Sequence, residues 1–227
     1  MKQRTFYTEI AYAVGLIFLA FSAALMEAAD FGVSMVVAPA YLLHLKLSET
    51  FAFFSYGVAE YTLQALLLIV MILILRRFKL YYLFSFVTAV LYGLLLDGSM
   101  VLVSYFPMES FALRLVWYVI GVLVCAASIA LLFHTYIAPE VYELIVKELS
   151  SRYGWKISIV KTVFDCASCA VAIVMSFSFF GLFRFEGVKA GTIICALFNG
   201  WLIGCFSKLF EKFFRFTDRL PLRRYFE

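Results

Sequence analysis

Few residues in this chain could do chemistry, and the most promising come in pairs. Lys161 and Asp165 stand four apart inside the apolar run Ile157 to Met175, and Glu60 and Gln64 stand four apart in the run that ends at Leu75. That spacing puts both members of a pair on one helix face. In a helix that crosses a bilayer an ionisable side chain is costly to insert and marks a functional site by default. Asp97, in Leu96-Asp97-Gly98, and Asn199, in Phe198-Asn199-Gly200, are further polar side chains set in apolar sequence. Together they are candidate substrate- or ion-binding residues, with Lys161 and Asp165 as a gating or proton-responsive pair and Glu60, Gln64 and Asn199 lining a cavity. A bland alternative stands beside each charge. Lys161 could pair with Asp165 only to lower its own insertion cost, its stem snorkelling toward the membrane surface, and Asp97 could be a boundary residue.

Other motifs carry less. Cys166-x-x-Cys169 has no neighbouring His and no strand-loop-helix context, so the five cysteines read as small apolar residues suited to close helix packing. His134 reads as an interfacial residue. There is no His-Glu-x-x-His, Gly-x-Ser-x-Gly or Asp-rich pattern and no phosphate loop. The sequence therefore predicts no enzyme, no metal site and no cofactor.

The elements that must position these residues are membrane helices. The chain is 65% hydrophobic and 19% aromatic, with a mean hydropathy of +0.97, well beyond the roughly 45 to 50% apolar usage of soluble domains. Charge-poor runs at Ile10 to Met26, Phe51 to Leu75, Leu80 to Leu96, Leu115 to Phe133, Ile157 to Phe183 and Gly187 to Ser207 predict six spans, most near the ~20 residues that a bilayer core requires. The first run follows Lys2 and Arg4 but no small-x-small cleavage site, so it reads as a retained helix. Basic residues accumulate on the cytoplasmic side, and with both termini inside, 15 of the 19 Lys and Arg fall there, Arg77 and Arg224 among them. The net charge of +4 is then a membrane bias, with no nucleic-acid partner implied.

Two short segments do not span. Met35 to His44 is too short and reads as a re-entrant or interfacial helix. From Ala138 to Leu149 an amphipathic helix is expected, with apolar residues at 141, 144, 145 and 149 and Glu140, Glu143, Lys147 and Glu148 on the opposite side. Ser48-Glu49 is expected to cap span two, and Arg184 to Gly187 to form a tight external turn. Lys208 to Glu227 reads as a basic amphipathic tail lying on the anionic cytoplasmic leaflet.

The chain repeats itself. Ala38-Pro39 after span one is echoed by Ala138-Pro139 after span four, and an offset of about a hundred residues sets Glu60 against Lys161, Gln64 against Asp165 and Tyr92-Gly93 against Asn199-Gly200. Each half has an odd number of spans, so the second must enter the membrane inverted, and binding sites in such folds form near the midplane where the halves meet. The expected organisation is an all-α membrane protein with a first three-helix repeat at 1–106, an inverted second at 107–207 and a tail at 208–227. Glu60 and Gln64 are expected to converge on Lys161 and Asp165 across the repeat axis.

The order of Gly15 through Ala24, then Ala29-Asp30-Phe31-Gly32-Val33-Ser34, then a short helix ending near Leu47-Ser48, with Gly191-Thr192 and Asn199-Gly200 later, resembles the YczE/YyaS/YitT family of bacterial membrane proteins. The resemblance implies this architecture and an inner-membrane location, without a substrate. Two function classes follow. One is a transporter that moves a small molecule or ion through a polar midplane site. The other is an accessory membrane protein supporting an export or modification system, consistent with the basic tail. Membrane lipid is the expected partner, with a homodimer or an accessory protein as further candidates.

Overall fold

The computed structural model describes residues 4–76, 78–79, 81–182, 187–221 and 223. Expectations resting on Lys2, Arg77, Leu80, the turn at 183–186, Arg224 and the last residues of the tail lie outside them. The order of elements is β1 (Arg4–Tyr7), α1 (Thr8–Ala29), α2 (Ala38–Ser48), α3 (Tyr56–Leu75), α4 (Tyr81–Val103), α5 (Phe111–Phe133), α6 (Val141–Tyr153), α7 (Ile157–Phe180), α8 (Ala190–Phe213) and β2 (Phe214–Thr217). Six of these helices, α1, α3, α4, α5, α7 and α8, are long and apolar enough to cross a membrane. The chain is thus an all-α membrane protein apart from one small ribbon. Large apolar side chains such as Leu73, Val163 and Trp201 are exposed on its perimeter, as a bilayer solvent allows and water would not.

The same sequence of span, short helix, span, span occurs twice, and the packing is matched. α3 packs on α4 as α7 packs on α8, and α1 packs on α4 as α5 packs on α8. α1 and α5 form the largest contact between the two sets. A Cβ at Gly15 would lie 3.2 Å from the Ser128 carbonyl, and one at Gly121 would lie 3.3 Å from that of Ser22. Gly121 lies as far beyond Gly15 as Ser128 lies beyond Ser22, so the contact is the same seen from either helix, and the two run antiparallel. A Cβ at Gly93 would lie 2.8 Å from the Gly57 carbonyl and one at Gly200 would lie 2.6 Å from the Ser158 carbonyl. Small residues at these crossings are what let membrane helices approach in the absence of a hydrophobic drive.

The boundaries differ from expectation in two places. Span two begins at Tyr56 because the Ser55 hydroxyl, and not Ser48-Glu49, accepts the Val58 N–H at 3.1 Å, the usual cap geometry. The segment expected to be a surface-lying tail is divided: Lys208 to Phe213 extends α8, and Phe214–Thr217 pairs in parallel with Arg4–Tyr7. Glu9 accepts the backbone N–H groups of Arg219 and Leu220 and the Tyr136 hydroxyl. Both chain ends are therefore clasped on one face of the bundle, as an even number of spans requires. His134 joins this clasp, its Nε2 2.8 Å from the Ser207 hydroxyl and its ring stacked 4.5 Å from Phe216.

Candidate functional site

The site is assembled on α6, one of the two short helices. Its first turn enters the bundle and meets the middle of α3. Val141 donates its N–H to Gln64 Oε1 at 3.0 Å, while Gln64 Nε2 donates to Glu140 Oε2 at 3.2 Å and to Glu60 Oε1 at 3.4 Å. The Tyr142 hydroxyl approaches Glu60 without closing a hydrogen bond of ordinary geometry. The arm leading into α6 is held from α4, where the Thr88 hydroxyl donates to the Ala138 carbonyl at 2.8 Å and Ser85 donates to that of Pro139. Pro139, just ahead of the helix, removes an N–H that would have no partner there.

On its other side α6 meets α7. Lys161 Nζ donates to Glu143 Oε1 at 3.1 Å and stands 3.0 Å from Asp165 Oδ1. The Lys161 side chain is wholly inaccessible and that of Glu143 is 2% exposed, so the ammonium does not snorkel to the surface. Asn199, on α8, is directed at Asp165 without closing an ordinary hydrogen bond. Cys125 and Cys195 are also buried nearby as free thiols. Glu60, Gln64, Glu140, Glu143, Lys161 and Asp165 are all buried, as is Asn199.

The electrostatics are unbalanced. Four carboxyl groups, those of Glu60, Glu140, Glu143 and Asp165, share the cluster with one ammonium, which contacts Glu143 and Asp165. One oxygen each of Glu60, Glu140 and Glu143, and Oδ2 of Asp165, has no hydrogen-bond partner. Burial pushes the Glu140 carboxyl well above the usual carboxylate range, and the neighbouring Glu143 and Glu60 carboxyls add to this; a desolvated acid beside other acids resists ionising. The α6 N-terminus partly offsets the acid excess, since the helix dipole favours negative charge there. Among the described residues no three His, Cys, Asp or Glu side chains converge as metal ligands.

This placement corrects two expectations. Glu60 and Gln64 do not meet Lys161 and Asp165 directly across an axis; the first turn of α6 lies between and joins them. Glu140 and Glu143 do not face away from the bundle but are buried within it. Their partners Gln64 and Lys161 draw them inward, leaving Ile145 and Leu149 of α6 to line an outer apolar cavity. Asp97 is apart from the cluster. Its Oδ1 accepts the Gly57 N–H at 2.8 Å and its Oδ2 accepts the Ser55 hydroxyl at 2.7 Å, which makes it a cap on the N-terminal end of α3.

A family model covers residues 6–208, which takes in every residue of the cluster. The chain belongs to the family of unknown function DUF6198. No curated relative and no solved structure matches it. For this DUF6198 member the residues that sequence reasoning missed are Glu140, Tyr142 and Glu143. The signal was present in the Ala-Pro repeat: the helix after Ala138-Pro139 takes the place that the buried segment after Ala38-Pro39 takes in the first half, and its acids are buried with it.

Proposed function

We propose that this DUF6198 protein is a transporter that moves a small solute or ion through the α3/α6/α7 site, using the buried carboxyls to couple that movement to protons. The observation that carries this reading is the excess of four buried carboxyl groups over one ammonium around a half-helix N-terminus. Fully ionised, the cluster would hold three uncompensated negative charges out of water, where ions are costly unless paired. Its charge state therefore changes with proton or cation occupancy, and Gln64 and Lys161 link that change to α3 and α7 at once. The matched glycine contacts support two inverted three-span halves that rock about α1 and α5. We further infer an inner-membrane location with both clasped ends cytoplasmic, from the distribution of Lys and Arg, and a relationship to the YczE/YyaS/YitT family from the order of motifs.

The test is reconstitution of the full chain into vesicles that hold a pH-sensitive dye, with gradients of monovalent cations, small anions and amino acids imposed in turn. Proton movement that follows one gradient in the wild type and is lost in Asp165→Asn, at equal incorporation, is the expected result. Undiminished movement in Asp165→Asn, or none above protein-free vesicles in the wild type under any gradient, would overturn the proposal.

A further inference from the structure

On the membrane face where the chain ends pair, α3, α4, α6 and α7 border a run of three cavities open to the outside. One, of about 550 Å³, is walled by Ile159, Val163 and Phe164 and ends at Trp155 and Lys156. A second, of about 240 Å³, is wholly apolar, lies between α3 and α6, and shares Leu149 and Phe164 with the first. The third, of about 420 Å³, shares Leu75 with the second and is polar, lined by Lys79, Glu148, Ser151 and Arg152.

Apolar and charged surfaces thus meet along one line. Val163 and Ile159 are more than half exposed on the apolar side, and Ile74 is 68% exposed on the α3 wall. Along the rim stand three basic residues, Lys79 and Arg152 in the polar cavity and Lys156 in the first cavity beside Trp155, against one acid, Glu148, which Lys79 binds at 3.0 Å. The Arg152 guanidinium donates to the Leu75 carbonyl at 3.2 Å and lies over the Tyr153 ring, so it is held at the rim. Tyr153 and Trp155 stack with centroids 5.0 Å apart beside it, the aromatic pairing typical of the headgroup level.

We propose that this surface is a binding site for an anionic phospholipid, its headgroup on Arg152 at the rim that also carries Lys79 and Lys156, and one acyl chain laid along the groove against Phe164. The charge complementarity selects an anionic headgroup over a zwitterionic one, and the continuous groove distinguishes a seated lipid from passing solvent. The site goes beyond the transport reading and does not depend on it. It lies against the transport site nonetheless: the Phe164 ring stands 6.0 Å from Lys161 Nζ and its centroid 6.5 Å from that of Tyr142. A seated chain presses on the ring that separates the cluster from lipid.

Trp155 supplies a reporter. In a Trp117→Phe, Trp201→Phe background, vesicles containing brominated phosphatidylglycerol are expected to quench Trp155 more than vesicles with brominated phosphatidylcholine at the same mole fraction. Arg152→Gln with Lys156→Gln should lower that preference about fivefold for each charge removed, the ratio to which ~1 kcal/mol per basic residue near an anionic surface corresponds. Native mass spectrometry of the unsubstituted protein, counting retained phosphatidylglycerol against phosphatidylcholine, reads the same preference if the reporter background does not fold. Equal quenching and equal retention of the two lipids would overturn the proposal, as would a preference that survives the double substitution. Trp155 shielded from both lipids in a particle of twice the mass would assign the groove to a second copy and overturn it equally.

Discussion

The two short helices occupy matching places and carry opposite chemistry. With Ala38-Pro39 set against Ala138-Pro139, Ala40 falls opposite Glu140, Leu42 opposite Tyr142 and Leu43 opposite Glu143. α2 buries Ala38, Pro39, Ala40 and Leu42, an apolar plug, whereas α6 buries Tyr142 and Glu143 behind a buried Glu140. Each helix is wedged against both α3 and α7. The scaffold dictates where a residue sits and leaves open what that residue does. The charge is gathered on one arm, so the site stands to one side of the α1/α5 contact and a movement of α6 alone would disturb it.

The largest expected effect comes from removing the one cation that α6 shares with α7. Lys161→Met leaves Glu143 and Asp165 facing each other without compensation, and breaking a buried pair from one side costs about 3 to 5 kcal/mol. Unfolding in detergent, followed by light scattering or tryptophan fluorescence, reads this loss. Adding Glu143→Gln and Asp165→Asn to Lys161→Met should recover most of it, because a fully neutral replacement of a buried pair is often tolerated. A single variant as stable as the wild type would dissolve the contrast between the two arms, since α6 would then be a plug like α2.

How much of this was legible in the sequence depends on which force decided each element. The six spans follow from apolar length alone, and the Lys161–Asp165 pair follows from helical spacing, so both were readable. The pairing of Glu60 with Gln64 was readable for the same reason. Their convergence on α6 was not, because Glu140 and Glu143 fit a surface helix equally well until the solvent of that helix is known. The ribbon between Arg4–Tyr7 and Phe214–Thr217 joins segments from the two chain ends, and a contact of that sequence separation leaves no local pattern. Asp97 was legible as polar but its partners were not, since Ser55 and Gly57 lie at the start of a different helix.

A smaller effect should appear as a pH dependence. Burial holds the Glu140 carboxyl above its unfolded value, which is about 4.3. Between the unfolded and folded values the native state keeps a proton that the unfolded chain releases, so stability falls as pH rises through that window and is greatest below it. Glu140→Gln keeps an oxygen for the Gln64 amide and carries no proton to lose. Melting temperatures measured from pH 5 to pH 9 should decline for the wild type and decline less for the variant, which should be at least as stable at pH 9. Parallel curves would mean that Glu140 is ionised in the native site, and that α6 presents a carboxylate to Gln64 where α2 presents a methyl group.

The smallest effect concerns the spans that follow, where the two halves also part. The offset that sets Gly93 on Gly200 sets Asp97 on Gly204. Asp97 satisfies the Gly57 N–H and the Ser55 hydroxyl, and losing a cap of this kind costs about 1 kcal/mol. Gly204 has open space around an added Cβ, and alanine is favoured over glycine in a helix interior by roughly 0.8 to 1.0 kcal/mol. Asp97→Ala should therefore destabilise and Gly204→Ala stabilise by similar amounts, in the same unfolding assay, with proton movement unchanged in both. If Asp97→Ala abolished proton movement while the protein stayed folded, the N-terminal end of α3 would belong to the transport path, and the chemistry would no longer be confined to the surroundings of α6.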